Sequence, residues 1–304
     1  MEKFEINILG CGSALPTTKH NLSSQVVSFR DKLHMIDCGE GSQLQFRKLK
    51  LNFNRLTNIF ISHLHGDHCF GLPGFISTLG LLGRTSDLHI FAQPDAEKVF
   101  RPLLDYFCKG LAYSVIFHSF DPFKHQLIYE DRGLQVFTIP LKHRVPTAGF
   151  LFVEKPKALH INRESCDFFQ VPISQYGNIK AGNDFITSNG EVIPNHRLTN
   201  KPQTPRRYAY CSDTAYEEKI VPIIQGVDLL YHEATFLHSD LVRAKETFHS
   251  SSIEAASIAK KAEVGQLILG HFSARYPNEK VLLEEAQSVF PNTILSSETK
   301  SFVL

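Results

Sequence analysis

The sequence lacks three features that would each have fixed its class. It has no surplus of charge: 32 basic residues stand against 31 acidic ones, for a net charge of +1, so it carries no general signature of a nucleic-acid coat or a polybasic membrane binder. A polyanion would have to be met by a local patch. It has no apolar run near the roughly 18 residues of a membrane-spanning helix, and it reads as a soluble chain without a membrane partner. Its six cysteines, Cys11, Cys38, Cys69, Cys108, Cys166 and Cys211, are widely spaced, form no CxxC pair and follow no signal-peptide pattern. They read as buried thiols of a reducing cytoplasm. What the chain does have is bulk. Its 304 residues, 42% of them hydrophobic, suffice for one large α/β domain or two modest ones.

The most informative stretch is IFISHLHGDHCFGLPG, residues 59 to 74. His63, His65, Asp67 and His68 fall within six residues, directly after the strand-forming run Ile59-Phe60-Ile61. Extended backbone would point His63, His65 and Asp67 to one face and His68 to another. Four such groups have no packing use at this spacing. They suit metal binding, and more than one ion.

The rest of the chain alternates. Strands are expected over 4–9, 25–29 and 33–36, the last two joined by the Arg30-Asp31-Lys32 turn, followed by a helix over 42–50 with Leu44 and Leu49 inward. A glycine-containing apolar helix over 70–82, a strand over 88–92, a helix over 94–107 and strands over 114–118, 126–130 and 135–139 lead to His143. Strands over 208–211, 228–231, 266–269 and 293–295 then alternate with helices over 216–225, 253–262 and 278–288. Asp213, His232 and His271 follow strand ends, where α/β proteins place their chemistry. The pattern predicts two β-rich layers with helices outside, their loops gathered at one edge.

Residues 154–207 break the alternation. The stretch holds five prolines and eight basic residues against five acidic ones, more basic than the whole. It reads either as a surface insertion without a role or as an arm that grips a polyanion.

Zinc prefers imidazole nitrogen and takes carboxylate oxygen as well, and a pair of such ions about 3.5 to 4 Å apart serves phosphodiester hydrolysis. Seven ligands are on hand: His63, His65 and His143 for one ion, Asp67, His68 and His271 for the other, and Asp213 to bridge them. Taken singly, His143, Asp213 and His271 read rather as structural histidines and a helix-capping aspartate. His232 reads as a hydrogen-bonding support.

HLHGDH after a strand resembles the zinc motif of the metallo-β-lactamase superfamily. With PLKHRVPTAGF at 140–150, CSDTA at 211–215, HEATF at 232–236, HSS at 249–251 and LGHFSARY at 269–276, nearly the whole chain resembles the short-form ribonuclease Z family of tRNA 3′-processing endoribonucleases. The resemblance implies a four-layer αβ/βα sandwich spanning 1–304, with an inserted substrate arm at 154–207 and two zinc ions at its edge, manganese or iron being alternatives. No organic cofactor is expected. Asp67 is then ligand and base or orienter for the attacking water, and His249, supported by Glu233, protonates the departing 3′ oxygen. The expected products are a tRNA with a 3′ hydroxyl and a trailer with a 5′ phosphate. The family also implies a cytoplasmic homodimer in which one subunit's arm holds precursor tRNA for the other's site. Lys155, Lys157, Lys180 and Arg197 are the candidate phosphate contacts on the arm, with Arg275 and Tyr276 beyond it. One departure is local: Val171 to Gly177, at the arm's expected tip, lacks the family's Gly-Pro pair. Two rival readings share the residues, a hydrolase of small phosphodiesters on the same scaffold and a non-catalytic RNA-binding relative.

Overall fold

The apolar runs become strands of two seven-stranded sheets in a computed structural model that describes residues 3–298 and 300–304. The first sheet runs in the order Ser301–Val303, Phe4–Gly10, Ser24–Phe29, Lys32–Ile36, Leu56–Phe60, Leu88–Ala92, Val115–Ser119. Its early strands pair antiparallel through the expected turn, and its later ones are parallel, each reached through a helix or a long connection. The second sheet runs Thr293–Leu295, Gln266–Gly270, Leu229–Glu233, Arg207–Cys211, Ala148–Glu154, Leu134–Pro140, Leu127–Glu130. Its first four strands are parallel.

Both sheets bury their facing surfaces against each other. The Phe60 ring lies 5.5 and 5.6 Å from those of Phe150 and Phe152, Tyr208 donates to Gln25, and Tyr210 donates to Asp37 Oδ2 at 2.8 Å. Helices cover the outside. Phe46, Phe75 and Phe100, from Ser42–Lys48, Leu72–Leu81 and Asp95–Phe107, join the buried cluster beneath the first sheet. Ser252–Lys261 packs on the second sheet and Lys280–Gln287 packs beside it. This is the four-layer α/β sandwich of the metallo-β-lactamase fold. Parallel strands in register bring their carboxyl ends to one edge, and the residues just past those ends meet there.

Several elements differ from expectation for identifiable reasons. Residues 216–225 form only a short 3-10 turn, Glu218–Ile220, because Pro222 has no N–H to donate and its ring clashes with the carbonyl four residues back. In the first helix Leu44 is 61% exposed while Phe46 is buried; the inward stripe is Ser42, Gln45 and Phe46 with Leu49, at helical spacing. Strands Ala148–Glu154 and Ser301–Val303 and helix Leu241–Thr247 have no counterpart in the sequence reading. The first of these strands is buried almost end to end, so it shows no alternation to read.

Val153–Arg206, together with Asp131–Leu134, forms a second compact unit. It has a small core of Cys166, Val171, Ile179, Ile193 and Leu198, two short ribbons, His160–Ile161 with Thr199–Asn200 and Phe185–Ile186 with Val192–Ile193, and three short helices. Its chain ends are clasped. Glu154, 3% exposed, accepts from Arg206 Nε at 2.8 Å and pairs with Lys157 Nζ at 3.3 Å.

Candidate metal centre

The HLHGDH stretch does not stay extended. His63 and His65 lie on extended backbone, but Gly66–Cys69 closes into a helical turn with His65 at its N-cap position. Asp67 therefore leaves the His63 and His65 face and joins His68, which corrects the alternation expected from an extended chain. Close packing enforces the turn. A Cβ on Gly39 would stand 2.5 Å from the Asp67 carbonyl oxygen, and one on Gly71 would stand 2.1 Å from that of Gly39.

Ligand atoms gather in two groups. His63, His65, His143 and Asp213 form one and Asp67, His68 and His271 the other. In the first, His65 Nδ1 is 3.0 Å from His63 Nε2 and 3.2 Å from His143 Nε2. Donors about 2.05 Å from a tetrahedral ion are separated by about 3.3 Å. Asp213 stands between the groups: Oδ2 is 3.6 Å from His63 Nε2 and 3.7 Å from His143 Nε2, while Oδ1 is 3.0 Å from His68 Nε2 and 3.2 Å from His271 Nε2. Asp67 Oδ2 faces His68 and His271 at 3.6 and 3.5 Å and accepts from the Ala14 backbone N–H at 2.9 Å.

Four of the five cluster histidines have a partner on the outward-facing nitrogen. His63 Nδ1 meets Ser62 Oγ at 3.0 Å, His68 Nδ1 meets Asp37 Oδ2 at 2.7 Å, His143 Nδ1 donates to the Phe248 carbonyl at 3.0 Å, and His271 Nδ1 meets Thr235 Oγ1 at 3.0 Å. Each of these four rings is thus oriented with Nε2 turned inward, the arrangement that supports histidine ligands, whereas His65 turns Nδ1 inward. His68 Nε2 and His271 Nε2 are buried against the Asp213 and Asp67 carboxylates and meet no partner among the described residues in hydrogen-bond geometry, a costly condition unless a cation takes the lone pair.

Electrostatics favour a cation too. Burial pulls the pKa of His63, His65 and His143 below the ordinary histidine value, toward the neutral state a ligand needs. At His68 burial acts the same way, but the carboxylates of Asp213, Asp67 and Asp37 outweigh it and raise the pKa well above normal. The carboxyl of Asp67 is depressed in turn: burial opposes ionisation, and His68 and His271 overcome it. The donor set and the field fit divalent ions.

Beside the ligands, Glu233 is fully buried and saturated. It accepts from Thr214 N at 2.6 Å, Ser250 N at 3.1 Å, Thr235 Oγ1 at 2.6 Å and His249 Nδ1 at 2.9 Å. Burial alone would lower the pKa of His249, but the charge and hydrogen bond of Glu233 raise it to about 9. With Nδ1 engaged, Nε2 is the nitrogen left for chemistry. The HSS motif explains itself here: Ser250 binds Glu233, and Ser251 opens the helix Ser252–Lys261 with a reciprocal capping box to Glu254. His232 donates from Nδ1 to the Glu233 carbonyl at 2.8 Å, a support and no ligand.

The other expected contacts lie elsewhere. Arg275 pairs with Asp240 at 3.6 Å, and the Tyr276 hydroxyl accepts from Leu237 N at 3.0 Å and donates to Asp240; neither lines the cavity over the cluster. In the arm unit, Lys157 is half-buried against Glu154, Arg197 covers the Phe169 ring at 4.6 Å, and Lys180 ends the exposed edge of a short helix. Lys155 donates its backbone N–H to Gly133 at 2.8 Å. The sequence reading missed Asp37, Ser62, Thr235 and Ala14. The signal of the first three was weak, a lone acid or hydroxyl after a strand, and Ala14 acts through its backbone N–H. Backbone geometry marks some of them: Ala14, Asp37, Asp213, Phe248 and His271 all have φ between 53° and 60°, a conformation that non-glycine residues adopt mostly where function or packing compels it.

A family model described as Anti-Pycsar protein Apyc1 matches residues 4–141, which include the HLHGDH loop and stop short of His143. The chain is 59% identical over 298 residues to "Ribonuclease Z" of Parabacteroides distasonis, covering 98% of both chains. It is 60% identical to "Ribonuclease Z" of Bacteroides thetaiotaomicron, covering 98% of this chain and 94% of that one. Among solved structures it is similar to human tRNase Z, short form, at 24% identity and a TM-score of 0.71 with 98% of each chain covered. A diphosphatase of the PhnP family gives 16% and 0.64 over 98% and 97%. These two structural likenesses speak to the fold.

Proposed function

The chain belongs to the ribonuclease Z family, and from that membership we propose that it cleaves the 3′ trailer from precursor tRNA with two zinc ions. It is a metal-dependent endoribonuclease of tRNA 3′ processing. In our reading His63, His65 and His143 hold one ion and Asp67, His68 and His271 the other, with Asp213 between them. Bound there, the ions supply Lewis acidity that offsets phosphodiester charge and makes water a better nucleophile. The protein's own groups do the rest. Asp67, steadied by Ala14 N–H, serves as base or orienter for the attacking water. His249, held by Glu233 at 2.9 Å, gives a proton from Nε2 to the departing 3′ oxygen. The tRNA leaves with a 3′ hydroxyl and the trailer with a 5′ phosphate.

One observation carries this reading: four cluster histidines spend Nδ1 on outward partners and turn Nε2 inward toward the carboxylates, the Nε2 atoms of His68 and His271 meeting no partner among the described residues in hydrogen-bond geometry. The reading extends to a cytoplasmic homodimer whose 154–207 arm holds the tRNA body through Lys155, Lys157, Lys180 and Arg197. Elemental analysis of the purified protein should return close to two zinc ions per chain. A value near one would contradict the dinuclear assignment.

A further inference from the structure

The cavity over the cluster, about 440 Å³, is lined by more than the reacting groups: Arg144, Arg243 and Thr247 also face it. Neither arginine has a part in the chemistry above. Arg144 directly follows His143. Arg243 lies on helix Leu241–Thr247, where Thr247 Oγ1 donates back to its carbonyl at 2.8 Å, and the left-handed Phe248 turns the chain from that helix into His249. Both guanidinium groups lean on one residue: Arg243 Nη1 reaches Glu246 Oε2 at 3.1 Å, and Arg144 Nη2 reaches the Glu246 carbonyl at 3.2 Å.

This tether orients without neutralising. Arg243 meets a carboxylate and Arg144 only a backbone carbonyl, each through a single one of its five donors. The Arg243–Glu246 pair is half-exposed, so water weakens its hold. What remains is a pair of forked donors at the mouth of a cavity built for a phosphodiester, and the fork matches phosphate oxygens.

We propose that Arg243 and Arg144 form a subsite for the phosphate next to the cleaved one, on the tRNA side of the scissile linkage. The inference rests on the reading of His249 as the acid for the departing 3′ oxygen. Arg243 and His249 line the same cavity; in this proposal the strand ending in that oxygen passes Arg243, and its next charge is the phosphate 5′ to the terminal nucleotide. The subsite makes the enzyme prefer a polynucleotide to an isolated diester.

The test uses the zinc-loaded enzyme and a precursor tRNA bearing one neutral methylphosphonate at that linkage. With the wild-type protein the neutral linkage should lower kcat/KM about tenfold, as loss of a charge-assisted hydrogen bond would. Arg243→Ala and Arg144→Ala should lose about as much on the normal substrate and nothing further on the neutral one, with zinc content retained. An equal penalty in variant and wild type would overturn the proposal. Should a variant fold poorly, a methylphosphonate scan with the wild type alone decides: the largest loss on the tRNA side should fall at this linkage, and a larger loss elsewhere refutes it. Failure of the wild type to cut the unmodified precursor would instead overturn the parent reading.

Discussion

His249 shows what a single side chain does here and how much of that the sequence discloses. The histidine and Glu233 lie 16 residues apart with no spacing that ties them, and only the family resemblance of HEATF and HSS paired them. The structure places them 2.9 Å apart. His249→Ala should lower cleavage of precursor tRNA about 10²- to 10⁴-fold, the usual span for a general acid, while zinc content holds; unchanged turnover would remove His249 as the acid. The four groups of HLHGDH were legible because consecutive donors have no bland explanation. Asp37 was not, since one acid after one strand has many. His20 matches no motif of the sequence, and the structure gives it specific partners. It meets Glu298 at 3.2 Å, Glu279 at 3.1 Å and the Cys11 thiol at 3.4 Å, with Lys19 also paired to Glu279. Burial would lower its pKa, but the two glutamates prevail and raise it above 6.5. A group with a raised folded pKa stabilises fully below its unfolded value and loses that contribution as pH climbs through the folded one. The melting-temperature gap between wild type and His20→Asn should therefore be widest near pH 6, a few degrees, and shrink toward pH 9. A gap independent of pH would contradict the ion-pair account.

Elements were legible where one face is wet and illegible where both are dry. The strand 88–92 and the helix begun near Pro94 matched because alternation and a first-turn proline mark them. Ala148–Glu154 escaped because burial erased its period, and 216–225 misled because a tolerable helical composition hides Pro222. The helix Leu241–Thr247 is short, yet it delivers both the Phe248 carbonyl that orients His143 and His249 itself. The 153–206 segment folds around its own small core, clasped by Glu154 and Arg206. Deleting residues 163–197 should weaken precursor tRNA binding, most steeply at low salt where lost phosphate contacts count for most, and spare a chromogenic phosphodiester. Equal loss on both substrates would make the segment a structural one.

At the scale of the molecule, the two sheets matter because they aim strand ends at one edge. Asp37 and Ser62 follow strands of the first sheet, while His143, Asp213, Glu233 and His271 end or follow strands of the second. Neither sheet alone has a complete cluster. The cross-links Tyr210 to Asp37 and Phe60 to Phe152 hold the halves in register, so the ligand set depends on the packing of the whole sandwich. The central claim is that this assembly makes one metal-dependent endonucleolytic cut in precursor tRNA. The direct measurement is to incubate the zinc-loaded protein with a 3′-extended tRNA labelled at both ends and to identify the termini produced. The account predicts a single cut that frees the intact trailer, with a 3′ hydroxyl on the tRNA and a 5′ phosphate on the trailer, abolished by chelation and restored by zinc. A ladder of stepwise 3′ shortening, or a 3′ phosphate on the tRNA, would contradict it.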